Sequence, residues 1–188
     1  MRGIEPVKLK IDGVVYAVAA ILELEEPLDL NSLLKAVGRP KEVKAVALNP
    51  EALAGPAHVL TAVEYALKAF RRGRNAARSF HVEVMLFAAA TREISRALPL
   101  MSPPEGARRV AIACVADTPT ACLSYLERVA RELRASIAPL KREPEAAARV
   151  AEALGLERRE LEATYAVDVA EAVEKALLSR MALEYLSR

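Results

Sequence analysis

Val7-Lys8-Leu9-Lys10-Ile11-Asp12-Gly13-Val14-Val15-Tyr16-Ala17-Val18 is the stretch whose reading decides the fold. Two β-rich runs flank a two-residue Asp-Gly link. A type I′ turn needs positive φ at both central positions, and Asp-Gly meets that demand. The stretch therefore predicts an antiparallel hairpin, with a sheet built outward from it. Val43 to Leu48 reads as a buried strand. Arg109 to Val115 reads as another, rich in β-branched residues, and Ile137 to Leu140 as a short edge strand.

Helical patterns fill the intervals. Asp29 is placed to cap a helix over Leu30 to Val37 that stops at Gly38. Asn49-Pro50 ends the strand before it, with Asn as cap and Pro at the first helical position. Val59, Val63, Ala66, Leu67 and Phe70 recur at helical spacing until Gly73 interrupts them. Ser79 to Ala90 is apolar on almost every side, the mark of a central helix. Thr91 is read as the cap of a short helix through Leu98, followed by a loop from Pro99 to Gly106. Thr118-Pro119 opens a helix to about Ser136, and Pro144 opens one that stops at Gly155. Asp168-Val169-Ala170-Glu171 forms an Asp version of the capping box for a last helix that reaches the C-terminus. The expected class is α+β: a small mixed or antiparallel sheet of four to five strands flanked by several helices. One domain is expected over residues 1–188, with 144–188 a C-terminal helical segment packed on it.

With 188 residues, 53% hydrophobic and 28% charged, the chain is too apolar for disorder. No apolar run reaches the roughly 18 residues of a spanning helix, and Met1 to Glu5 has no leader layout. A cytoplasmic protein with no membrane contact is expected. Two cysteines make neither a disulfide framework nor a four-ligand zinc site. Cys114 and Cys122 read as small core residues, and no metal is expected. Glu64 to Leu98 carries seven Lys/Arg against three acids, whereas Glu143 onward carries ten acids against six bases. That asymmetry suits an anionic partner and a protein partner on different segments.

The common catalytic and nucleotide patterns are missing. Seven glycines build neither a dinucleotide fingerprint nor a P-loop, and neither His-Glu-x-x-His nor Gly-x-Ser-x-Gly occurs. No cofactor and no small-molecule substrate is expected. His58 and His81 lie on separate helices, and a packing role for His58 is favoured over that of a general base.

Arg71-Arg72-Gly73-Arg74-Asn75-Ala76-Ala77-Arg78-Ser79 stands out: four arginines and no acid over nine residues, between two helices. Gly73 supplies the left-handed residue that ends the first helix. Asn75 or Ser79 caps the second, which places backbone N–H groups beside guanidinium groups, a means of holding phosphate. The plainer reading makes the arginines caps and ion-pair partners. Glu83 is the second oddity, a carboxylate inside Phe80-His81-Val82-Glu83-Val84-Met85-Leu86-Phe87. Such a group is costly unless paired, and Arg74, Arg78 or Arg92 is the economical partner for a structural ion pair. The last helix carries a stripe that includes Leu177, Met181, Leu183 and Leu186, which fits core packing, the favoured reading for at least half of it, and also fits a partner groove.

His58-Val59-Leu60-Thr61-Ala62, Arg74-Asn75-Ala76-Ala77-Arg78-Ser79-Phe80, Glu83, Leu86, Ala88 and Arg92-Glu93-Ile94 with Ala97 resemble the conserved block of the PRPK-binding (TPRKB-like) accessory subunit of the KEOPS complex. Val46-Ala47-Leu48-Asn49, Val173-Glu174-Lys175-Ala176 and Ala182-Leu183-Glu184-Tyr185-Leu186 extend the likeness over most of the chain. Two departures occur: Ala90-Thr91 stands where family members often have a glycine, and Ser102-Pro103-Pro104 where a glycine commonly follows the next helix.

The resemblance implies a non-catalytic subunit that binds the small atypical kinase/ATPase of KEOPS and recruits tRNA through its 3′ CCA end, while another subunit attaches the threonylcarbamoyl group. Arg71, Arg72, Arg74 and Arg78 become the expected tRNA-backbone contacts. Ser79, Arg92 and His58 become candidates around the terminal nucleotides. Leu177, Met181, Leu183 and Leu186 become candidate anchors for the kinase. With 4% aromatics and no Trp, arginine stacking is the expected device for splayed bases. The rivals are a protein-interaction module without RNA binding, and a small hydrolase or transferase using His58 or Glu83.

Overall fold

The structure is a computed structural model and describes residues 3–11, 13–38 and 40–187. The chain divides into two compact units, one drawn from Met1–Pro50 and Ser102–Leu140 and the other from Glu51–Met101 and Lys141–Arg188.

The first unit is the sheet. Strands β1 (Val7–Lys10), β2 (Val14–Leu24), β3 (Val43–Leu48), β4 (Arg109–Ala116) and β5 (Ala135–Pro139) all pair antiparallel. The order is β1-β2-β4-β3, and β5 also pairs with β2. β4 pairs with Tyr16 to Glu23 of β2, while β1 pairs with its start and β5 with its end. β1 and β5 therefore share the edge of β2 that β4 leaves. The hairpin expected from the opening stretch is present, with Lys10 opposite Val14; Asp12, one of its two turn residues, lies outside the described residues.

Val18, Ala20, Leu22 and Leu24 of β2 and Val110, Ile112, Cys114 and Ala116 of β4 alternate onto one face. Two helices, α1 (Leu30–Val37) and the one following β4 (Pro119–Glu132), bury their apolar residues in the same core. α1 starts as the sequence predicts: the Asp29 carboxylate accepts from the Ser32 N–H at 2.8 Å. The Pro119–Glu132 helix is capped by Thr118, whose hydroxyl accepts from the Ala121 N–H. It stops short of Ser136, because Arg134 takes φ 49° and turns the chain straight into β5. Both cysteines are buried free thiols, and Cys122 donates to the Tyr16 carbonyl at 3.1 Å. The expectation of core cysteines holds.

The second unit is helical. α2 (Pro56–Arg71) packs on α3 (Phe80–Ala88), which packs in turn on α4 (Ile94–Met101). With the Pro119–Glu132 helix counted as α5, α6 (Ala147–Ala153), α7 (Arg158–Glu162) and α8 (Val169–Leu186) follow. α8 packs against α2, α3, α6 and α7.

Four details of this unit differ from expectation. α4 continues through Pro99 to the fully buried Met101; proline costs one hydrogen bond, but its φ suits a helix, and burying the methionine extends the helix by a turn. Thr91 accepts from the Glu93 N–H instead of capping α4. α7 has no buried residue and a Glu at its N-cap, so neither periodicity nor a common cap announces it. Asp168 caps α8 as predicted, although Glu171 reaches the Val167 N–H, one residue before the partner a capping box requires.

Candidate functional site

The arginine cluster forms the junction between α2 and α3. α2 ends in a Schellman motif: Gly73 takes φ 65°, its N–H bonds the Phe70 carbonyl, and the Arg74 N–H bonds Ala69. This is the left-handed stop that Gly73 predicts. The chain then folds over Glu83, which is fully buried in the first turn of α3. Its carboxylate accepts from the Ala76 N–H at 3.2 Å and the Ala77 N–H at 2.6 Å. Asn75 adds a bond from its side-chain amide to the Ala77 carbonyl. Glu83 therefore shapes the loop through two main-chain donors.

The arginines on this frame face solvent. Arg71, Arg72, Arg74 and Arg78 are all exposed. Among the described residues, no carboxylate pairs with Arg71, Arg74 or Arg78. Ser79 occupies the N-cap of α3 in extended conformation, but its hydroxyl makes no capping bond and lies 3.4 Å from His81 Nε2. The first turn of α3 thus has no side-chain cap from Ser79 and follows a run of exposed arginines, and both features favour an anion.

Arg72 differs from the other three. Its Nη1 donates to the Tyr185 hydroxyl at 2.6 Å, and its guanidinium carbon sits 5.9 Å from the Tyr185 ring centroid. Tyr185 stacks on Tyr65 at 4.8 Å and 9°, and Phe87 lies at a tilt beside both. This aromatic ladder escaped sequence reading. A low aromatic content pointed to arginine alone, yet three of the chain's eight Phe and Tyr residues converge beside the loop.

His58 requires a correction. It has no exposed surface, accepts from the Ala54 N–H through Nδ1 at 3.2 Å, and donates from Nε2 to the Ala88 carbonyl at 2.8 Å. Desolvation lowers its pKa to about 4, so the ring is neutral and carries its proton on Nε2. A ring with both nitrogens engaged in the interior does not reach a nucleotide. Its main-chain N–H donates to Glu174 Oε1 at 3.1 Å, and Arg142 lies 3.7 Å from the other oxygen of that carboxylate. Glu174 therefore caps α2, whose N-cap, Gly55, has no side chain to do so.

Arg92 is half-exposed but occupied. It forms an ion pair with Glu184, and its Nη2 donates to the Ser187 hydroxyl at 2.7 Å. The four residues expected to dock the kinase divide evenly. Leu177 and Met181 are fully buried and belong to the interior, because they lie on the face of α8 turned to its helical neighbours. Leu183 and Leu186 are 67% and 77% exposed. Leu183 also lines an open groove of about 510 Å³ with Ala90, Arg180, Glu184 and Ser187. Among the described residues no set of His, Cys, Asp and Glu is arranged to hold a metal, and no helix is long and apolar enough to cross a membrane.

Comparison with known families places this geometry in context. A family model described as kinase binding protein CGI-121 matches residues 25–185, nearly the whole chain. No curated protein matches it.

Proposed function

Since the chain belongs to the kinase binding protein CGI-121 family, we propose that it is a non-catalytic KEOPS subunit that docks the small kinase/ATPase and recruits tRNA by its 3′ CCA end. Kinase binding is the family's described property, and Leu183 and Leu186 are the exposed apolar residues of α8 proposed to serve it. The tRNA half is carried by one observation: three exposed guanidinium groups, on Arg71, Arg74 and Arg78, with no carboxylate partner among the described residues. Such charge costs stability unless a polyanion uses it.

The proposed reading assigns the sugar–phosphate backbone to Arg71, Arg74 and Arg78, with Arg72 beside them. Ser79 and the open N-terminus of α3 are the proposed phosphate donors. Arg92 has a lesser part, since Glu184 already offsets its charge. A mobility shift with tRNA at moderate salt tests the reading. The wild-type chain shifts the tRNA; the Arg71→Glu/Arg74→Glu/Arg78→Glu variant folds and fails to; tRNA trimmed of its CCA end binds less well. Co-elution with the cognate kinase subunit tests the other half.

The internal bonds of Arg72 and Arg92 favour one alternative, a protein-interaction module whose arginines serve structure alone. That alternative predicts no shift with any tRNA.

A further inference from the structure

The last turn of α8 faces two ways. Leu183 and Leu186 point to solvent, while Glu184, Tyr185 and Ser187 hold the unit's own cations. The Tyr185 phenol accepts from Arg72, and its ring is fixed by the Tyr65 stack and by the fully buried Phe87 at 6.3 Å. A ladder of three rings thus runs from the interior to Arg72, and α8 supplies the outermost ring. Glu184 and Ser187 hold Arg92 from the same turn.

We infer that the last turn of α8 is the positioning element of Arg72 in the arginine loop, so that a kinase covering Leu183 and Leu186 tightens the grip on tRNA. The inference rests on the function proposed above. The final carbonyls of a helix lack intrahelical partners, and an exposed last turn frays. When it frays, Tyr185 leaves and Arg72 regains its full rotamer freedom. While the turn is formed, Tyr185 takes one of several guanidinium N–H donors and leaves the rest for phosphate. A kinase seated on the two leucines suppresses fraying, so the ordering cost falls on the first partner and not on the second. Two ligands that draw on the same ordered segment bind with positive, reciprocal coupling.

The test is a tRNA titration of the full-length protein, alone and saturated with its kinase, with kinase alone as the blank. It is run on the wild type, on Tyr185→Phe, which keeps the stacked ring and loses the acceptor, and on Arg72→Lys, which keeps the charge and loses the planar fork. The kinase should tighten wild-type binding by about fivefold, the lower end of typical coupling. In both variants the gain should fall below about twofold, measured at kinase concentrations that saturate each variant. Equal tightening in wild type and variants, or none in wild type, overturns the inference while leaving tRNA binding itself intact. A wild-type protein that binds no tRNA in either state removes the functional reading and the inference together.

Discussion

Burial leaves His58 without water, and its two ring nitrogens are held by Ala54 and Ala88. A charged imidazole has no compensation there, which lowers its pKa from 6.5 to about 4. The stability that depends on the neutral ring is whole above pH 6.5. It is lost as pH falls from 6.5 toward 4, because the unfolded chain takes up the proton first. The loss amounts to about 3 kcal/mol, since each tenfold difference in proton affinity between the folded and unfolded chain is worth about 1.4 kcal/mol. Denaturant melts at pH 7 and pH 4.5 should show it, and the His58 ring proton should not titrate by NMR above pH 5. Glu160, held near 2 by Arg180, loses its contribution only as pH falls from about 4.5 toward 2, so it adds little between pH 7 and pH 4.5. Ala90 is the second residue whose backbone matters. The Thr91 N–H bonds Leu86 and the Ala90 N–H bonds Phe87, a Schellman end to α3 with Ala90 at φ 46°. Glycine takes that conformation without strain, so the alanine here carries a backbone cost that a glycine would not. Ala90→Gly should raise stability by about 1 kcal/mol, read as an increase in denaturation midpoint at constant m-value. Reduced stability would show that φ is tolerated there for another reason.

At the scale of elements, the bounds of α1 and β3 were legible to the residue, because cap and stop lie next to the periodic run: Asp29 with Gly38, and Asn49-Pro50. The α2–α3 junction was legible for the same reason, since its four arginines and Gly73 are sequence neighbours. What stayed hidden depends on distant residues. Tyr185 meets Arg72 across 113 positions, and Glu174 caps α2 from 116 positions away. α7 was hidden too, because its anchor is Arg180 of α8, which bonds Glu160 and the carbonyls of Leu154 and Gly155. Glu83 was noticed as a buried charge, but no local pattern marks main-chain N–H groups as its partners. Those bonds make the junction depend on one carboxylate. Glu83→Ala leaves the Ala76 and Ala77 N–H groups without it, and each loss costs about 1–3 kcal/mol if water does not enter. The variant should lose about 2–4 kcal/mol by urea denaturation. Hydrogen exchange should localise the earliest opening to residues 74–79. Uniform destabilisation with those amides still protected would separate Glu83 from the loop.

Over the whole molecule, the charge asymmetry of the sequence has a definite fate. Both the basic segment and the acidic tail belong to the helical unit. The tail's acids are drawn into pairs: Glu184 with Arg92, Glu160 with Arg180, Glu171 and Glu174 with Arg142. The arginine loop is left outside this balance, so a nearly neutral protein, with formal net charge +2, still presents a concentrated positive field. Net charge alone therefore gives no measure of its affinity for a polyanion. Salt dependence does, because each neutralised phosphate releases counterions. On a single-stranded 3′ tail the slope of log K against log salt is about −0.7 per contact, and on duplex about −0.9. Replacing Arg71, Arg74 and Arg78 together by Ala, which removes charge without adding repulsion, should make the slope shallower by about 2 if all three meet a single-stranded tail. Trimming the CCA end from the tRNA should flatten the wild-type slope by a similar amount and leave the variant's slope unchanged, because the contacts to be lost are already gone. If trimming flattens both slopes equally, the arginines and the tail act at different places, and the loop would have to be reassigned to the body of the tRNA.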